Sequence, residues 1–308
     1  MSEPVRNRPA PVWHSERPSG ANTGAAIVSY NPDAGFPVRV LRVARHVDRV
    51  VVVDNHSHGS TIGELRARSG VDLILNKRNV GVATALNQGL QWAKQRGYQW
   101  LLTLDQDTVA HEDILDTLAS VYQDIDDKAA IALIGSTSSA DVQRRRKVVE
   151  SGPGWVEAKT TITAGTLMWL PACDAIGPFR DELFIDLVDI EYCLRARHKG
   201  FKVFLSLKPG MDHQIGATTT HRLPWKPTGT SNHSPLRRYY MMRNHAILAG
   251  EYLLTDPRWA LTSLWSRVKS TVLMCLFERD RIAKLRLTAL GAWDGLTRNV
   301  SRDMSREW

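Results

Sequence analysis

Two runs in this chain are apolar at almost every position and then stop on an acid. Val50-Val51-Val52-Val53 ends at Asp54, and Trp100-Leu101-Leu102-Thr103-Leu104 ends at Asp105. A strand with one wet face alternates polar and apolar residues. A run without alternation belongs to a strand covered on both faces, the habit of parallel sheets flanked by helices. The neighbouring segments have the lengths to supply those helices. Ala25-Ala26-Ile27-Val28-Ser29-Tyr30 reads as a first strand and Val71-Asp72-Leu73-Ile74-Leu75 as a third. Helices are expected over residues 36–47, near 60–69 and over 82–96. Strand and helix alternating at this spacing imply βαβ units. The expected class is α/β, a Rossmann-like, mostly parallel sheet with flanking helices.

Ligands of such sheets bind beyond the carboxyl ends of the strands. Asp54, Asn79 and Asp105 each stand just past a strand end, so one crevice should collect all three. Further along, residues 158–170 read as a loop and a strand, 187–199 as a helix and 201–205 as a strand. Residues 209–236 are rich in Gly, Pro, Thr, Ser and Asn without periodicity and read as a long functional loop. Helices follow to the C-terminus.

The chain has 308 residues, room for one large α/β domain or two small ones. Its 40 Lys and Arg exceed its 32 Asp and Glu, a formal charge of +8. The excess is uneven. Residues 24–236 carry 24 bases and 23 acids, a net +1, whereas residues 237–308 carry 13 bases and 7 acids, a net +6. A basic end points to phosphates, anionic lipid or nucleic acid as partners. No apolar stretch approaches membrane-spanning length. Residues 1–23 are polar, with Pro4, Pro9, Pro11 and Pro18, and read as a disordered leader without the apolar core of a signal peptide. Three cysteines make neither a disulfide framework nor a zinc site, which suits a reduced, cytoplasmic chain.

Four constellations carry chemistry. Asp105-Gln106-Asp107 follows a buried strand, and two carboxylates so placed can converge on Mg2+ or Mn2+, which also bind substrate phosphates. Solvated acids in a turn are the plain alternative. Asp186, Asp189 and Glu191 crowd a helix start, where acids also serve as dipole partners. Asp186 and Asp189 share a face, so either is a candidate general base. His213 follows a strand. Arg237-Arg238-Tyr239-Tyr240-Met241-Met242-Arg243-Asn244 mixes bases with aromatics, a pattern fit for phosphate or a nucleobase, or for a solvated helix face. The glycine signatures of P-loops and dinucleotide sites are absent.

In order and spacing these segments resemble the inverting family 2 glycosyltransferases of GT-A fold, and within them bacterial rhamnosyltransferases that use dTDP-L-rhamnose. The resemblance covers about residues 24–250. Its segments are Ile27-Val28-Ser29-Tyr30-Asn31-Pro32, Val53-Asp54-Asn55 with Ser57, Asn79-Val80-Gly81, and Leu104-Asp105-Gln106-Asp107. Phe184-Ile185-Asp186, Asp189 and Glu191 through Arg195, then His213 and Arg237 to Asn244, complete it.

The resemblance implies roles. Asp54 contacts the nucleobase. Tyr30, Asn79, Gly81 and Arg243 serve the nucleotide sugar. Asp105, Asp107 and His213 hold the metal. Asp189 is the base, with Asp186 second choice because Val188 replaces a common family acid. Glu191, Arg237 and Tyr240 are acceptor-side candidates. The implied domains are a leader over 1–23, a catalytic body over 24–236 and a basic helical region over 237–308. The acceptor implied is a saccharide, lipid-linked and destined for the cell envelope. Residues 259–277 and 282–296 each gather apolar residues near one face, which suits packing on the body, a mutual hairpin or a seat on anionic membrane. Transfer of galactofuranose or a hexosamine is the rival on the same scaffold. A basic nucleic-acid-binding protein is the non-enzymatic rival, disfavoured by the near-neutral body.

Overall fold

The computed structural model describes residues 16–139, 154–213, 219–222, 227–302 and 304. Strands β1 (Thr23–Ser29), β2 (Arg49–Asp54), β3 (Val71–Leu75) and β4 (Trp100–Asp105) pair in parallel in the order β3-β2-β1-β4. Val50 to Val53 and Leu101 to Leu102 have no exposed surface, as their unbroken apolarity requires. Helices α1 (Phe36–Val43) and α2 (Gly81–Gln95) lie between these strands in sequence.

Beyond β4 the sheet is mixed. The remaining elements are β5 (Val109–Ala110), α3 (Ile114–Asp124), β6 (Ile131–Ser138), β7 (Trp155–Ala158), β8 (Thr166–Trp169), α4 (Leu170–Ile176), α5 (Val188–His198) and β9 (Lys202–Asp212). Strand β8 enters between β4 and β6, antiparallel to both, and β6 and β9 are parallel. The parallel character expected from the sequence therefore belongs to the β3-to-β4 half and to the β6–β9 pair.

Three expectations need correction. No α-helix forms near 60–69, where Gly59, Gly63 and Gly70 weaken the segment and only a 3-10 turn, Gly63–Leu65, remains. Residues 16–22 are not a free leader. Trp100 Nε1 donates to the Glu16 carbonyl at 3.0 Å, and the Gln99 amide donates to the Asn22 carbonyl at 3.1 Å. Residues 1–15 of that expected leader lie outside the described residues. The supposed loop from 209 begins inside β9. Pro209 and Gly210 read as a turn, yet they sit where the β6–β9 register shifts, and the Gly210 amide donates to Ser136 Oγ at 3.0 Å. A hairpin, β10 (Thr219–Arg222) and β11 (Pro227–Thr230), follows.

The C-terminal helices are α6 (Pro235–Tyr252), α7 (Pro257–Phe277) and α8 (Arg281–Leu296). Helix α6 buries apolar residues such as Leu236, Ile247 and Leu248, whereas α7 and α8 expose apolar residues and α8 turns polar ones inward. Helix α8 buries Lys284, Thr288, Gly291, Asp294 and Gly295, whereas Ile282, Leu285, Trp293 and Leu296 are exposed. On α7, Leu261, Trp265, Val268, Val272 and Leu276 form an exposed stripe at spacings of three and four residues. The inward carboxylates are paired. Glu278 accepts from Arg238 Nη2 at 2.6 Å and Lys284 Nζ at 2.9 Å, and Asp294 accepts from Tyr239 Oη at 2.8 Å. The helices thus neither form the expected hairpin through these faces nor bury them on the body. Among the described residues no helix is long and apolar enough to cross a membrane. Cys173 and Cys193 are buried, and Cys275, on α7, is partly exposed.

Candidate active site

The carboxyl ends of β1 and β4 open on a cavity of about 360 Å³. Because these parallel strands end at the same level, Tyr30 and the Asp105-Gln106-Asp107 turn meet at its wall. Gln106 is the tie between them. Its Oε1 accepts from the Tyr30 amide at 2.7 Å and its carbonyl accepts from Arg39 Nε at 2.8 Å. Sequence reasoning passed over Gln106 as the residue between two acids, although an amide there can reach a neighbouring strand end.

Asp105, Asp107 and His213 converge, with one donor atom from each lying within 4.8 Å of the others. His213 Nδ1 is 3.3 Å from Asp107 Oδ1 and 3.3 Å from Thr108 Oγ1. It stands at the end of β9, so two non-neighbouring parts of the sheet build one cluster. Burial, and then the charge of Asp107, raise the Asp105 carboxyl above its usual range, while His213 opposes the rise. Two carboxylates and an imidazole held this closely fit a hard divalent cation that tolerates one nitrogen ligand.

Asp189 faces the same cavity from the first turn of α5. Although the residue keeps some solvent contact, protein encloses its carboxyl group, and burial pushes it up to about 7. The Ile190 amide donates to Asp189 Oδ1 at 2.8 Å and holds the rise in check. Asp186 also lines the cavity but is engaged. Arg237 grips it bidentately, with Nε and Nη2 each donating at 3.2 Å to a different carboxylate oxygen.

The segment that carries both acids is strained. Phe184, Asp186 and Leu187 have φ of 62°, 66° and 62°, the left-handed region. Such a conformation costs about 1–3 kcal/mol per residue and persists only when its surroundings impose it. On one side the segment meets Gly81, at φ +85°, where a Cβ would stand 2.6 Å from the Phe184 ring and 2.7 Å from its carbonyl oxygen. The glycine is therefore needed for close approach as well as for its backbone angle. The Val82 amide donates to that carbonyl at 2.6 Å. Asn79 shapes the same turn, its Oδ1 accepting from the Gly81 amide at 3.0 Å.

Four expected site residues lie elsewhere. Asp54 is buried behind the wall, where its carboxylate accepts from Ser29 Oγ at 2.9 Å and the Ser57 amide at 2.9 Å. Asn55 takes its place on the cavity. Arg243 is buried, donating to the carbonyls of Glu182 and Leu183 and lying over the Tyr239 and Tyr240 rings. Tyr240 is buried and stacks on Phe184 with ring centroids 4.7 Å apart. Glu191 is buried and bonded to Arg195, Oε1 to Nε at 2.8 Å, which makes it an i,i+4 pair within α5. In each case the side chain is engaged by neighbours and does not line this cavity, a placement that spacing alone does not reveal. Of the basic cluster it is Arg237 that reaches the cavity.

The chain is similar to known proteins in sequence and in fold. The chain is 29% identical over 294 residues to the dTDP-rhamnosyl transferase RfbF of Shigella flexneri, covering 90% of this chain and 96% of that one. A crystal structure of GalNAc-T7 with UDP, GalNAc and Mn2+ superposes with a TM-score of 0.52 at 14% identity over 72% of this chain. That match spans 47% of the larger protein, and at this identity it speaks for the fold alone. The sequence model of Glycosyl transferase family 2 matches residues 25–178, half of the chain and every strand from β1 to β8. The chain belongs to glycosyl transferase family 2.

Proposed function

We propose that this glycosyltransferase moves L-rhamnose from dTDP-L-rhamnose to a hydroxyl of a saccharide acceptor in one inverting displacement. The observation that carries the reading is the disposition of the acids. Asp189 is enclosed and raised toward neutrality, and it shares one cavity with Asp105 and Asp107, which cluster with His213. The likeness to RfbF along nearly the whole chain supports the choice of donor.

Asp189 takes the proton from the acceptor hydroxyl as that oxygen attacks the anomeric carbon. A general base is most effective when its pKa lies near the working pH, and burial brings Asp189 there. Asp186 is less suited because Arg237 already holds both of its oxygens. Asp105, Asp107 and His213 would hold Mg2+ or Mn2+, which supplies charge neutralisation to the departing diphosphate when bound. Arg237 offers that diphosphate a second cation, in place of the Arg243 expected from the sequence. Tyr30, Asn55, Asn79 and Gly81 form the donor wall, and Asp54 supports it through Ser29 and Ser57.

The acceptor in this reading is a lipid-linked precursor of a cell-surface polysaccharide, met at the cytoplasmic face of the membrane. The outward apolar residues of α7 and α8 support it, as do the exposed bases Arg258, Lys269, Arg279, Arg281 and Arg286 beside them. An apolar stripe bordered by cations suits the boundary between acyl chains and anionic headgroups. A second copy is less suited to that face, because two regions of net +6 would meet.

The test is incubation of the protein with dTDP-L-rhamnose and synthetic saccharide-diphospholipids, with and without EDTA, and assignment of the product anomer by NMR. Transfer with inversion, abolished by EDTA and restored by Mn2+ or Mg2+, is expected. Transfer from UDP-galactofuranose or a UDP-hexosamine but not from dTDP-L-rhamnose would overturn the donor. A retained anomeric configuration would overturn the mechanism.

A further inference from the structure

The strained segment before α5 is held from behind by a pair of residues that never reach the cavity. Asn244 has no exposed surface, and the two hydrogens of its Nδ2 are shared among three carbonyls of that segment. The acceptors are the carbonyls of Leu183 at 2.8 Å, Ile185 at 2.8 Å and Asp186 at 2.9 Å. Its Oδ1 accepts from Arg243 Nε at 3.1 Å and Nη2 at 3.0 Å, so the amide can point only one way. Arg243 in turn donates to the carbonyls of Glu182 and Leu183. Tyr240, one helical turn earlier on the same face of α6, stacks on Phe184.

We infer that Asn244, oriented by Arg243, is a positioning residue that imposes the left-handed backbone of Phe184, Asp186 and Leu187 and so aims the acids of this segment at the cavity. Left-handed non-glycine residues do not adopt this form by local preference. Here the opposite side of the segment is also fixed, by Gly81 and the Val82 amide. Residues 183–187 are thus clamped between α2, which borders the donor wall, and α6. Asp186 lies within the clamp, and Asp189 follows it by three residues. The catalytic part of the inference rests on Asp189 being the base.

Asp and Asn have the same shape, and the test uses this. If Asn244 donates to carbonyls, Asn244→Asp turns a donor against three acceptors and is worse than Asn244→Ala. If it merely fills space, Asn244→Asp stays near wild type and Asn244→Ala is the worse. The expected outcome is a fall in kcat of about 100-fold for Asn244→Asp, the size of a misplacement near 1 Å, with a smaller fall for Asn244→Ala and little change in donor KM.

Hydrogen exchange decides the matter without turnover. The amides of Leu183, Phe184 and Ile185 are bonded within the segment and should exchange at least about 10-fold faster in the variants, while those of β1 to β4 hold. If Asn244→Asp does not fold, Asn244→Ala carries the same exchange test. Unchanged exchange at 183–185, or Asn244→Ala worse than Asn244→Asp, overturns the inference. Failure of the wild type to use dTDP-L-rhamnose would overturn the proposed donor and leave the exchange result to judge the clamp.

Discussion

The carboxyl edge of the sheet and the C-terminal helices handle polarity in opposite ways. At the edge, unbroken apolar strands bury themselves and deliver acids to a cavity. Around α8 the carboxylates of Glu278 and Asp294 go inside with their partners, and on α7 and α8 apolar side chains go out, with Trp265 70% and Ile282 78% exposed. The first arrangement completes itself within one chain, apart from small ligands. The second leaves a row of apolar side chains facing outward, a surface of the kind that marks an interaction site. Function at the edge thus depends on a few charges, and function at the helices on a surface.

Removal of one acid should show the edge's dependence most strongly. Asp189→Asn is expected to lower kcat by about 10³-fold while leaving donor binding within a few-fold, read by steady-state kinetics and calorimetry. Normal turnover of that variant would show that Asp189 is not the base. Asp107→Ala should lose activity together with its response to added Mn2+.

The buried polar side of the helices should yield the next effect, on stability. Lys284→Met removes one partner from a Glu278 that is almost fully buried. The expected loss is about 3 kcal/mol, the low end for a broken buried pair because Arg238 remains, measured by urea unfolding. A neutral result would mean that the inward polar face contributes nothing to the fold. On the outward side, Trp265→Ser with Trp293→Ser should lower partition onto phosphatidylglycerol-rich vesicles at least about 10-fold, given some 2 kcal/mol per buried aromatic. Equal binding by the double variant would separate the stripe from the membrane.

The smallest expected effects are in pH. Asp189 is raised to about 7 in the fold from 3.8, so the fold favours its protonated form. Its contribution to stability is full below about pH 3.8 and is lost as pH rises through 7, whereas activity needs the carboxylate and should rise through the same window. Glu278 and Asp294 behave inversely. Burial raises them, but Lys284 and Arg238 for the one, and Arg302 and Tyr239 for the other, outweigh it and hold both below their usual ranges. Their contributions are present at neutral pH and fade on acidification. An Asp189→Asn variant that lost the acid limb of kcat/KM but kept acid unfolding would sharpen the contrast.

Much of the edge was legible because its signals are local. Val50 to Val53 cannot be half-exposed, and an acid after such a run must stand at a strand end. Asp105 and Asp107 follow from that, Asp186 and Asp189 from the crowding of acids at a helix start, and His213 from the family resemblance. Asp54 stands behind the wall because Ser29 and Ser57 hold its carboxylate, and neither bond is visible from the strand pattern. Arg243 and Tyr240 lie against the underside of a strained loop, because a helix face that suits phosphate equally suits such a loop. The outward stripes of α7 and α8 were visible as periodicity. Which way they turn depends on partners distant in sequence, Arg238 with Glu278 and Tyr239 with Asp294, and no window of α8 alone contains those.

The thiols make this chain its own reporter. Burial pushes Cys173 up to about 11 and Cys193 up to about 12, which leaves both unreactive toward alkylating reagents at neutral pH. Cys275 sits on α7 beside the exposed Leu276, and it alone of the three has solvent access. A polarity-sensitive dye attached there, with no mutation made, would report by its emission colour whether α7 lies in water or against lipid.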